Sequence, residues 1–460
     1  MEKRAGKQYQ MDLCSGPILK RLLLFTLPLM CSSMLQLLFN AADIVVVGRF
    51  AGDESLAAVG SNGSLIGLVV NLFVGISIGA NVLAARNFGA KNDEGVRKTV
   101  HTAMLISLLG GVLLMVVGLI GARQFLIWMA SPPEVLEKAT VYLRISFLGM
   151  PAMLIYNFGA ALMRAVGDTK RPLYFLIAAG IINVILNLIS VILLRMDVAG
   201  VGLATVLSQV VSAVLVVRCL LHEPGAMRLE LRALRIDWRT LGQILRIGLP
   251  AGVQGIIFSI SNVMIQSSIN GFGAVAVAGN SAAGNIESFV YMAMNAFYQA
   301  TISFTSQNYG AGNYHRIRRA LLASQGCVIV VGLVLGNLAV LFGRQLLGIY
   351  STSPEVIEVG IHRLEVISAT YFLCGIMDVM VGALRGIGYS LAPMIVSIVG
   401  VCGFRLGWLA TVFRLEQFHT LRTVYLSYPI SWIITAAVHI GCFIWAYRRM
   451  LRQAQQEAAA

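Results

Sequence analysis

Three carboxylates stand inside long apolar stretches of this sequence. Asp43 lies in FNAADIVVVG, Glu287 in GNIESFVYM and Asp378 in CGIMDVMVG. A charged side chain at the centre of a bilayer costs about 2.5–3.5 kcal/mol, so a carboxylate kept there is a candidate for function. Each of the three could carry a proton, hold a sodium ion or attract a cationic solute. The alternative for each is a buried polar group that joins helices by hydrogen bonds.

Two asparagines could complete a cation site. Asn183 and Asn187 are four residues apart in NVILN, so a helix places their amides on one face. Together with Asp43 they could bind a proton or a sodium ion, and we expect no other metal. Hydrogen bonding between helices is an equally plain role for the two amides.

Polar side chains are also dense between residues 250 and 300. Because one or two would be ordinary packing but several on adjacent helices favour a water-accessible cavity, we expect a lined cavity here, with Asn262, Gln266, Asn295, Tyr298 and Gln299 contacting a substrate beside Glu287 and Asp378. Arg405 could pair with Asp378 or with an anionic group of a substrate, although an arginine that snorkels to the interface is the commoner case. The polar side chains between residues 250 and 300 that favour this cavity are Gln254, Asn262, Gln266, Asn280, Asn285, Asn295, Tyr298 and Gln299.

The elements that must position these groups are membrane helices. The chain is 57% hydrophobic and 12% charged, a composition that excludes a water-soluble globule. A span needs roughly 20 apolar residues, and twelve stretches qualify. They centre on about residues 20–47, 57–83, 99–121, 140–163, 172–194, 199–221, 242–269, 276–303, 320–343, 364–386, 391–413 and 424–447.

The chain is an internal duplication. Residues 19–220 and 241–443 match at an offset of 221 or 222 positions: Pro28 returns as Pro250, and NFGAKN from Asn87 returns as NYGAGN from Asn308. In a hydrophobic chain this pattern is typical of a transporter built from two homologous bundles. We therefore predict an all-α polytopic membrane protein with 12 transmembrane helices in two homologous six-helix bundles.

Charge sets the predicted orientation and the domain boundaries. Most of the 35 Lys and Arg residues fall in the two tails and the even-numbered loops, which places both termini in the cytoplasm. We predict an N-lobe at 1–221, a cytoplasmic linker at 222–240 lying partly on the membrane surface, and a C-lobe at 241–460. The net charge of +14 is then a topology signal and not evidence for a nucleic-acid partner, because the basic residues are dispersed.

Nine short segments of the chain stand out, in the order LPLM, NAADIVVVGRFAG, LAAVG, RNFGAKN, LMRAVGDTKRP, VAGVGLATVLSQ, GLPAG, FTSQNYGAGN and LRGIGYSLAPM. Together they resemble the multidrug and toxic compound extrusion (MATE) family of the flippase-like superfamily, and the resemblance covers almost the whole chain, from about Pro17 to Arg449. The resemblance implies a multi-pass protein of the cell membrane that exports organic cations and amphipathic drugs by alternating access. It also implies inward H⁺ or Na⁺ as the coupling ion, with no other cofactor, and we expect a monomer in the lipid bilayer.

The resemblance also assigns ion coupling to particular residues. It implies that Asp43, Asn183 and Asn187 form the cation site of the N-lobe, and that Glu287 and Asp378 face the cavity of the C-lobe. Family members often carry Asp where this chain has Asn187, and an amide can coordinate sodium but cannot titrate. This departure favours the Glu287 and Asp378 pair as the coupling groups.

Two other functions remain open at this point. A flippase for lipids or lipid-linked saccharides needs a cationic cavity for a pyrophosphate, but apart from Arg405 and Arg144 the spans offer few cations. An intramembrane enzyme is disfavoured because the sequence has neither an HExxH motif nor a paired-aspartate motif, and without a Walker motif ATP cannot drive transport directly.

Overall fold

The computed structural model describes residues 9–129 and 131–459, and the predicted lobes extend beyond these ranges only by residues 1–8, 130 and 460. Within the described ranges the long elements are all α-helices. α6 ends at Asn187 and continues as a π-helical segment, Leu188–Leu193. The first repeat folds into α1 Ile18–Phe50, α2 Asp53–Gly89, α3 Asp93–Trp128, α4 Pro133–Leu148, α5 Met150–Ala165, α6 Lys170–Asn187 and α7 Asp197–His222.

The second repeat follows a linker that contains two single turns of 3₁₀ helix, Gly225–Met227 and Leu231–Ala233. A π-helical segment, Ile398–Gly403, joins its two short helices α14 and α15. Its helices are α8 Trp238–Asn270, α9 Ala274–Gly310, α10 Tyr314–Leu341, α11 Gly343–Gly348, α12 Pro354–Ile367, α13 Phe372–Gly386, α14 Leu391–Ser397, α15 Phe404–Ala410 and α16 Leu421–Ala459.

The helices are long and apolar enough to cross a bilayer. In the described ranges nine segments pass that test singly, and two bent helix pairs raise the number to eleven. The remaining predicted span is α9, which has 37 residues but carries many polar side chains, and these lower its hydropathy. The prediction of an all-α polytopic membrane protein with two six-helix bundles is confirmed.

The fourth and tenth predicted spans differ from the expectation of single helices at 140–163 and 364–386. Each is a bent pair, with an angle of 45° between α4 and α5 and of 49° between α12 and α13. Both pairs begin earlier than predicted, at Pro133 and Pro354, because a proline is well tolerated in the first turn of a helix. The charged residues in α4 and α12 lower the mean hydropathy of these first segments, so the sequence does not indicate them as parts of a span.

The duplication is visible in the backbone. α2 and α9 are both 37 residues long and begin 221 positions apart. The residue before each is a glycine with positive φ, 87° at Gly52 and 91° at Gly273. The same holds in a later loop, where Gly167 and Gly388 have φ of 87° and 96°. Only glycine adopts this conformation readily, so both repeats use the same turns.

Contacts divide the described chain into two compact units. Unit 1 contains the residues up to Asp12 and Cys31–Gly252, and unit 2 contains Leu13–Met30 and Val253–Ala460. The division falls within α1 and within α8, two or three residues after the proline inside each helix, Pro28 and Pro250. The lobe boundaries from the sequence follow the repeat and stay a prediction.

Each unit has its own apolar core. In unit 1, α2, α3 and α5 meet through side chains such as Ala84, Val100 and Leu162, which are fully buried. In unit 2, α9, α10 and α13 meet around Met294 and Val379. Small residues at these contacts let the helix backbones approach closely, as is usual in membrane bundles. The cores therefore hold in fixed positions the helices that carry the polar residues.

Candidate functional site

The first site lies in unit 1, where α1, α6 and α7 meet. Asn187 Nδ2 donates hydrogen bonds to Asp43 Oδ1 and, at 3.3 Å, to Asn183 Oδ1. Asn183 Nδ2 in turn donates to Thr205 Oγ1, and Thr205 Oγ1 donates to Asp43 Oδ2, each at 3.4 Å. We call these four residues the Asp43 site. The structure thus brings together the three residues selected from the sequence and adds Thr205.

Helical periodicity explains the geometry of the Asp43 site. Asn183 and Asn187 are one turn apart on α6, and both side chains are buried, at 3% and 1% exposure. The Oδ1 atom of Asn187 is a buried acceptor with no hydrogen-bond donor among the described residues. A buried acceptor without a hydrogen-bond donor costs free energy. This oxygen is therefore suited to bind a cation or to accept a hydrogen bond from water. Oxygen atoms are also the ligands that a hard cation prefers.

Glu287 of α9 forms a buried ion pair that was not foreseen. Arg363 Nε lies 2.9 Å from Glu287 Oε1, and Arg363 Nη2 lies 2.6 Å from Glu287 Oε2. The third contact of the guanidinium is Asn280 Oδ1, at 2.5 Å from Nη1. Both charged side chains are buried, so the pair is held by the bidentate geometry that arginine and carboxylate favour. Glu287 is therefore neutralised by Arg363.

A cavity of about 450 Å³ in unit 2 opens beside this ion pair, and we call it the Glu287 cavity. Its wall combines amides and aromatic rings around the Glu287–Arg363 pair. Asn280 Nδ2 donates to Gln266 Oε1 at 2.8 Å, which fixes one wall. The cavity can offer hydrogen bonds and ring stacking to an amphipathic solute. The lining includes Asn262, Gln266, Glu287, Arg363, Tyr371 and Tyr428.

Asp378 of α13 is held apart from the Glu287 cavity. Its carboxylate interacts with the Tyr291 hydroxyl and with the charge of the Arg385 guanidinium. Arg385 itself donates to the Tyr298 hydroxyl and, at 2.8 Å, to Gln254 Oε1. The structure therefore places Asp378 beside the Arg385 network and not among the residues that line the Glu287 cavity.

Two of the remaining predicted contacts, Asn295 and Gln299, form a chain of hydrogen bonds along α9. Gln299 Nε2 donates to Asn295 Oδ1 at 3.0 Å, and Asn295 Nδ2 lies 3.5 Å from the Tyr291 hydroxyl. These residues are four apart, so they share one face of α9. Of the predicted substrate contacts, Asn262, Gln266 and Glu287 line the Glu287 cavity, whereas Asn295, Tyr298, Gln299 and Asp378 do not.

Arg405 of α15 is buried, so the interpretation of a snorkelling interfacial arginine is wrong. Only 5% of the residue is exposed, and its guanidinium lies over the ring of Tyr428, 4.0 Å from the centroid. Arg405 Nε donates to Ser431 Oγ at 3.0 Å. It has no carboxylate within 4 Å among the described residues, and it does not pair with Asp378. A cation–π contact with Tyr428 and Trp432 stabilises the charge instead.

The count of intramembrane cations from the sequence was too low. Unit 2 buries three arginines, Arg363, Arg385 and Arg405, whereas Arg144 of unit 1 is exposed. Arg363 was missed because the tenth span was placed one residue after it, and the bent pair brings it inside. Thr205 was missed because a single threonine in an apolar helix carries almost no sequence signal.

Comparison with known proteins agrees with this architecture. The family model described as MatE matches residues 28–189 and 250–408, one block in each repeat. The chain is 28% identical over 446 residues to the probable multidrug resistance protein YoeA of Bacillus subtilis, covering 94% of this chain and 95% of that protein. It is 24% identical to the FAD transporter of Shewanella oneidensis, covering 95% and 96% of the two chains.

A solved structure gives the same answer for the fold. The outward-facing conformation of a multidrug resistance MATE family transporter of the MOP superfamily superimposes with a TM-score of 0.89 at 25% identity. The match covers 98% of this chain and 99% of the other. With both repeats matched by the family model, the chain belongs to the MatE family and is a multidrug efflux transporter of the cell membrane.

Proposed function

We propose that the chain is a secondary active antiporter, in which inward H⁺ or Na⁺ bound at the Asp43 site drives the export of organic cations and other amphipathic drugs by alternating access. One observation carries the choice of site. Asp43 contacts only amide and hydroxyl groups among the described residues, whereas both oxygens of Glu287 are occupied by Arg363.

The chemistry of the Asp43 site supports a coupling role. A carboxylate without an arginine partner can exchange a proton or bind a sodium ion without breaking an ion pair. The unpartnered Oδ1 of Asn187 adds a second oxygen beside it. The absence of the second Asp common in the family then leaves one titratable group in the site. The coupling role is therefore proposed for Asp43 and not for the Glu287 and Asp378 pair that the sequence favours.

The Glu287 cavity supplies the proposed substrate contacts in unit 2. Because Arg363 neutralises Glu287, recognition there depends on amides and aromatic rings more than on a free negative charge. Tyr371 and Tyr428 offer faces to a planar drug, and Asn262 and Gln266 offer hydrogen bonds. Differential affinity of drug and ion for the two conformers would drive the exchange.

The test is dye export from proteoliposomes under separately imposed proton and sodium gradients. We expect one gradient to drive export in the parent, and Asp43→Asn to lose that response. Asp197→Asn is the matched control, because Asp197 also belongs to unit 1 but is paired with Lys138 at 3.1 Å near the end of a span. Full gradient-driven export by Asp43→Asn would falsify the assignment and return the coupling role to Asp378.

A second candidate function is the export of anionic aromatic solutes. Among the described residues, unit 2 buries three arginines but only one carboxylate, Glu287, whereas Asp378 is half-buried, and Arg405 lacks a carboxylate partner within 4 Å. Tyr428 lies between Arg405 and Arg363, with its ring 4.0 Å and 5.7 Å from their guanidinium carbons. The similarity to a transporter named for FAD, a large planar anion, is in line with this electrostatic balance.

The two substrate classes respond differently to the loss of a buried cation. If the solute is anionic, Arg405→Gln should lower its export strongly, whereas export of a cationic dye should be unchanged or faster. Arg144→Gln, at an exposed arginine, is the control and should affect neither. Equal loss of both solutes in Arg405→Gln would indicate a structural role for Arg405 and would remove the support for the second candidate.

A further inference from the structure

A second cavity in unit 1 has no role in the transport function proposed above. It measures about 460 Å³ and lies between the first turns of α3 and the linker before α8. By the charge distribution of the loops, this end of α3 is on the predicted cytoplasmic side. The lining includes Arg97, Lys98 and His101 of α3, and Arg232 and Arg235 of the linker. We call it the linker pocket.

Two hydrogen bonds hold the linker over α3. The backbone N–H of Glu230 donates to His101 Nε2 at 3.1 Å, and the backbone N–H of Asp237 donates to Thr102 Oγ1 at 3.1 Å. His101 is buried, and its Nδ1 is 2.8 Å from Arg97 O, so the proton resides on Nδ1 and leaves Nε2 free to accept. The segment between the two bonds arches over the first turns of α3. These two hydrogen bonds therefore hold the shape of the linker pocket.

The charges in the linker pocket are not balanced. Its two carboxylates are already engaged: Glu94 Oε1 is 2.6 Å from Lys98 Nζ, and Asp237 Oδ1 accepts from Thr240 N at 2.8 Å. The hydrogen bonds from Thr240 lower the pKa of Asp237. The negative charge of Asp237 therefore stabilises the start of α8. Among the described residues, no carboxylate lies within 4 Å of Arg97, Arg232 or Arg235. The ion pair between Glu94 and Lys98 does not include any of these three arginines.

Exposed apolar side chains flank the arch. Leu231 is 60% exposed at one end, and Trp238 is 76% exposed at the other. Tryptophan at this level of a membrane protein is typical of the interface between headgroups and acyl chains. A soluble anion would make no apolar contact with these two side chains, whereas a lipid would pack its glycerol and upper acyl chain against them. The apolar flanks therefore point to a membrane lipid as the source of the anion.

We propose that the linker pocket binds the phosphate of an anionic phospholipid from the cytoplasmic leaflet. Arg97, Arg232 and Arg235 hold the phosphate, while Leu231 and Trp238 contact the apolar part of the lipid. Basic pockets beside transmembrane helices on the cytoplasmic side are suited to such headgroups. The bound lipid would fix the linker, and with it the start of α8, to the membrane surface.

The internal duplication provides a control for this proposal. Arg97 and Lys98 of α3 correspond to Arg318 and Arg319 of α10, at an offset of 221. Both residues on α10 are exposed, and neither lines the linker pocket. Charge on the first turns of the helix is therefore common to both repeats, but the arch is a feature of the first. Arg448, an exposed arginine of α16, supplies a third charge for a matched variant.

The experiment is a lipid titration of the full chain in detergent, with the thermal unfolding midpoint as readout. The additives are short-chain phosphatidylglycerol, phosphatidylcholine and inorganic phosphate. We expect phosphatidylglycerol alone to raise the midpoint with saturation. Arg97→Gln/Arg232→Gln/Arg235→Gln should require about 100-fold more of this lipid, because each basic residue near the surface contributes about a fivefold factor. Arg318→Gln/Arg319→Gln/Arg448→Gln should match the parent.

Three outcomes would overturn the proposal. Equal weakening in the two triple variants would show that net charge, and not the linker pocket, attracts the lipid. An equal response to inorganic phosphate would assign the pocket to a free anion. No saturable response of the parent to phosphatidylglycerol would show that there is no site. Trp238→Ala adds an independent check, since it should weaken the response to the lipid while leaving the pocket's charges intact.

Discussion

Arg363 and Glu287 form a bidentate ion pair at 2.6 and 2.9 Å across the interior of unit 2, so that Glu287 enters the cavity as half of a neutral pair. This ion pair affects both the cavity and the choice of the coupling site. It removes the free negative charge that a cation-binding role for Glu287 would need, and it makes Asp43 the better candidate for ion coupling. It also leads to a direct test of stability.

Arg363→Met should be strongly destabilising, because it leaves Glu287 buried without a partner. Breaking one side of a buried ion pair costs about 3–5 kcal/mol. Glu287→Gln/Arg363→Met should recover most of that loss, since two uncharged groups then remain. Thermal unfolding of the purified parent, the two single variants and the double variant would measure the coupling. A single variant Arg363→Met as stable as the parent would contradict the ion pair.

Thr205→Val should change the apparent affinity for the coupling ion while preserving the shape of the side chain. Proton binding should become tighter, because the Thr205 hydroxyl stabilises the ionised Asp43 carboxylate, whereas sodium binding should become weaker, because the site loses an oxygen atom. Thr205 Oγ1 links Asn183 to Asp43, and one hydrogen bond to a charged group is worth about 1.5–3 kcal/mol, or roughly 12- to 160-fold in affinity. The measurement is the ion-concentration dependence of dye export in proteoliposomes. Thr140→Val is the control, since Thr140 Oγ1 bonds only to its own helix, at Leu136 O. The same change in both variants would argue against a role specific to Thr205.

Gly167→Ala should lower the thermal midpoint more than Gly225→Ala. Both residues have positive φ, 87° and 81°, so each substitution costs about 1–2 kcal/mol of backbone strain. A Cβ at Gly167 would also lie 2.2 Å from Met11 O, whereas a Cβ at Gly225 meets nothing within 4 Å. The difference between the two midpoints reports the packing of the N-terminal segment on unit 1. Equal effects would show that this segment moves aside at no cost.

Asn92→Ala should destabilise the protein by about 1 kcal/mol, the usual cost of losing an N-cap side chain. Asn92 Oδ1 accepts from Gly95 N at 3.0 Å at the start of α3. Its counterpart in the second repeat, Asn313, makes no such cap at the start of α10, so Asn313→Ala should cost clearly less. Chemical unfolding of both variants measures the difference, and a larger loss at Asn313 would count against the described caps.

Part of the Asp43 site could be predicted from the sequence, and part could not. Asn183 and Asn187 are separated by one helical turn, so their common face follows from periodicity alone. The contact of Asn187 with Asp43 joins residues 144 apart in the chain, and the contact of Thr205 with Asp43 joins residues 162 apart. Such contacts depend on how α1, α6 and α7 pack, which no local pattern encodes. Residue type and spacing singled out Asp43, Asn183 and Asn187, and the resemblance to a family implied the same grouping, but neither indicated Thr205.

The sequence by itself determined that this protein is a duplicated, twelve-helix membrane transporter of the MatE family. Hydropathy, repeat offset and motif order can all be determined from the linear sequence. Apolar stretches form helices in a bilayer because their backbone groups must be hydrogen-bonded within the segment. Only the tertiary structure decided the electrostatics of unit 2. The bend between α12 and α13 carries Arg363 inside to Glu287, 76 residues away in the chain, and aromatic stacking keeps Arg405 buried. Both results depend on side-chain packing between helices, because a buried charge persists only where the fold provides its partner.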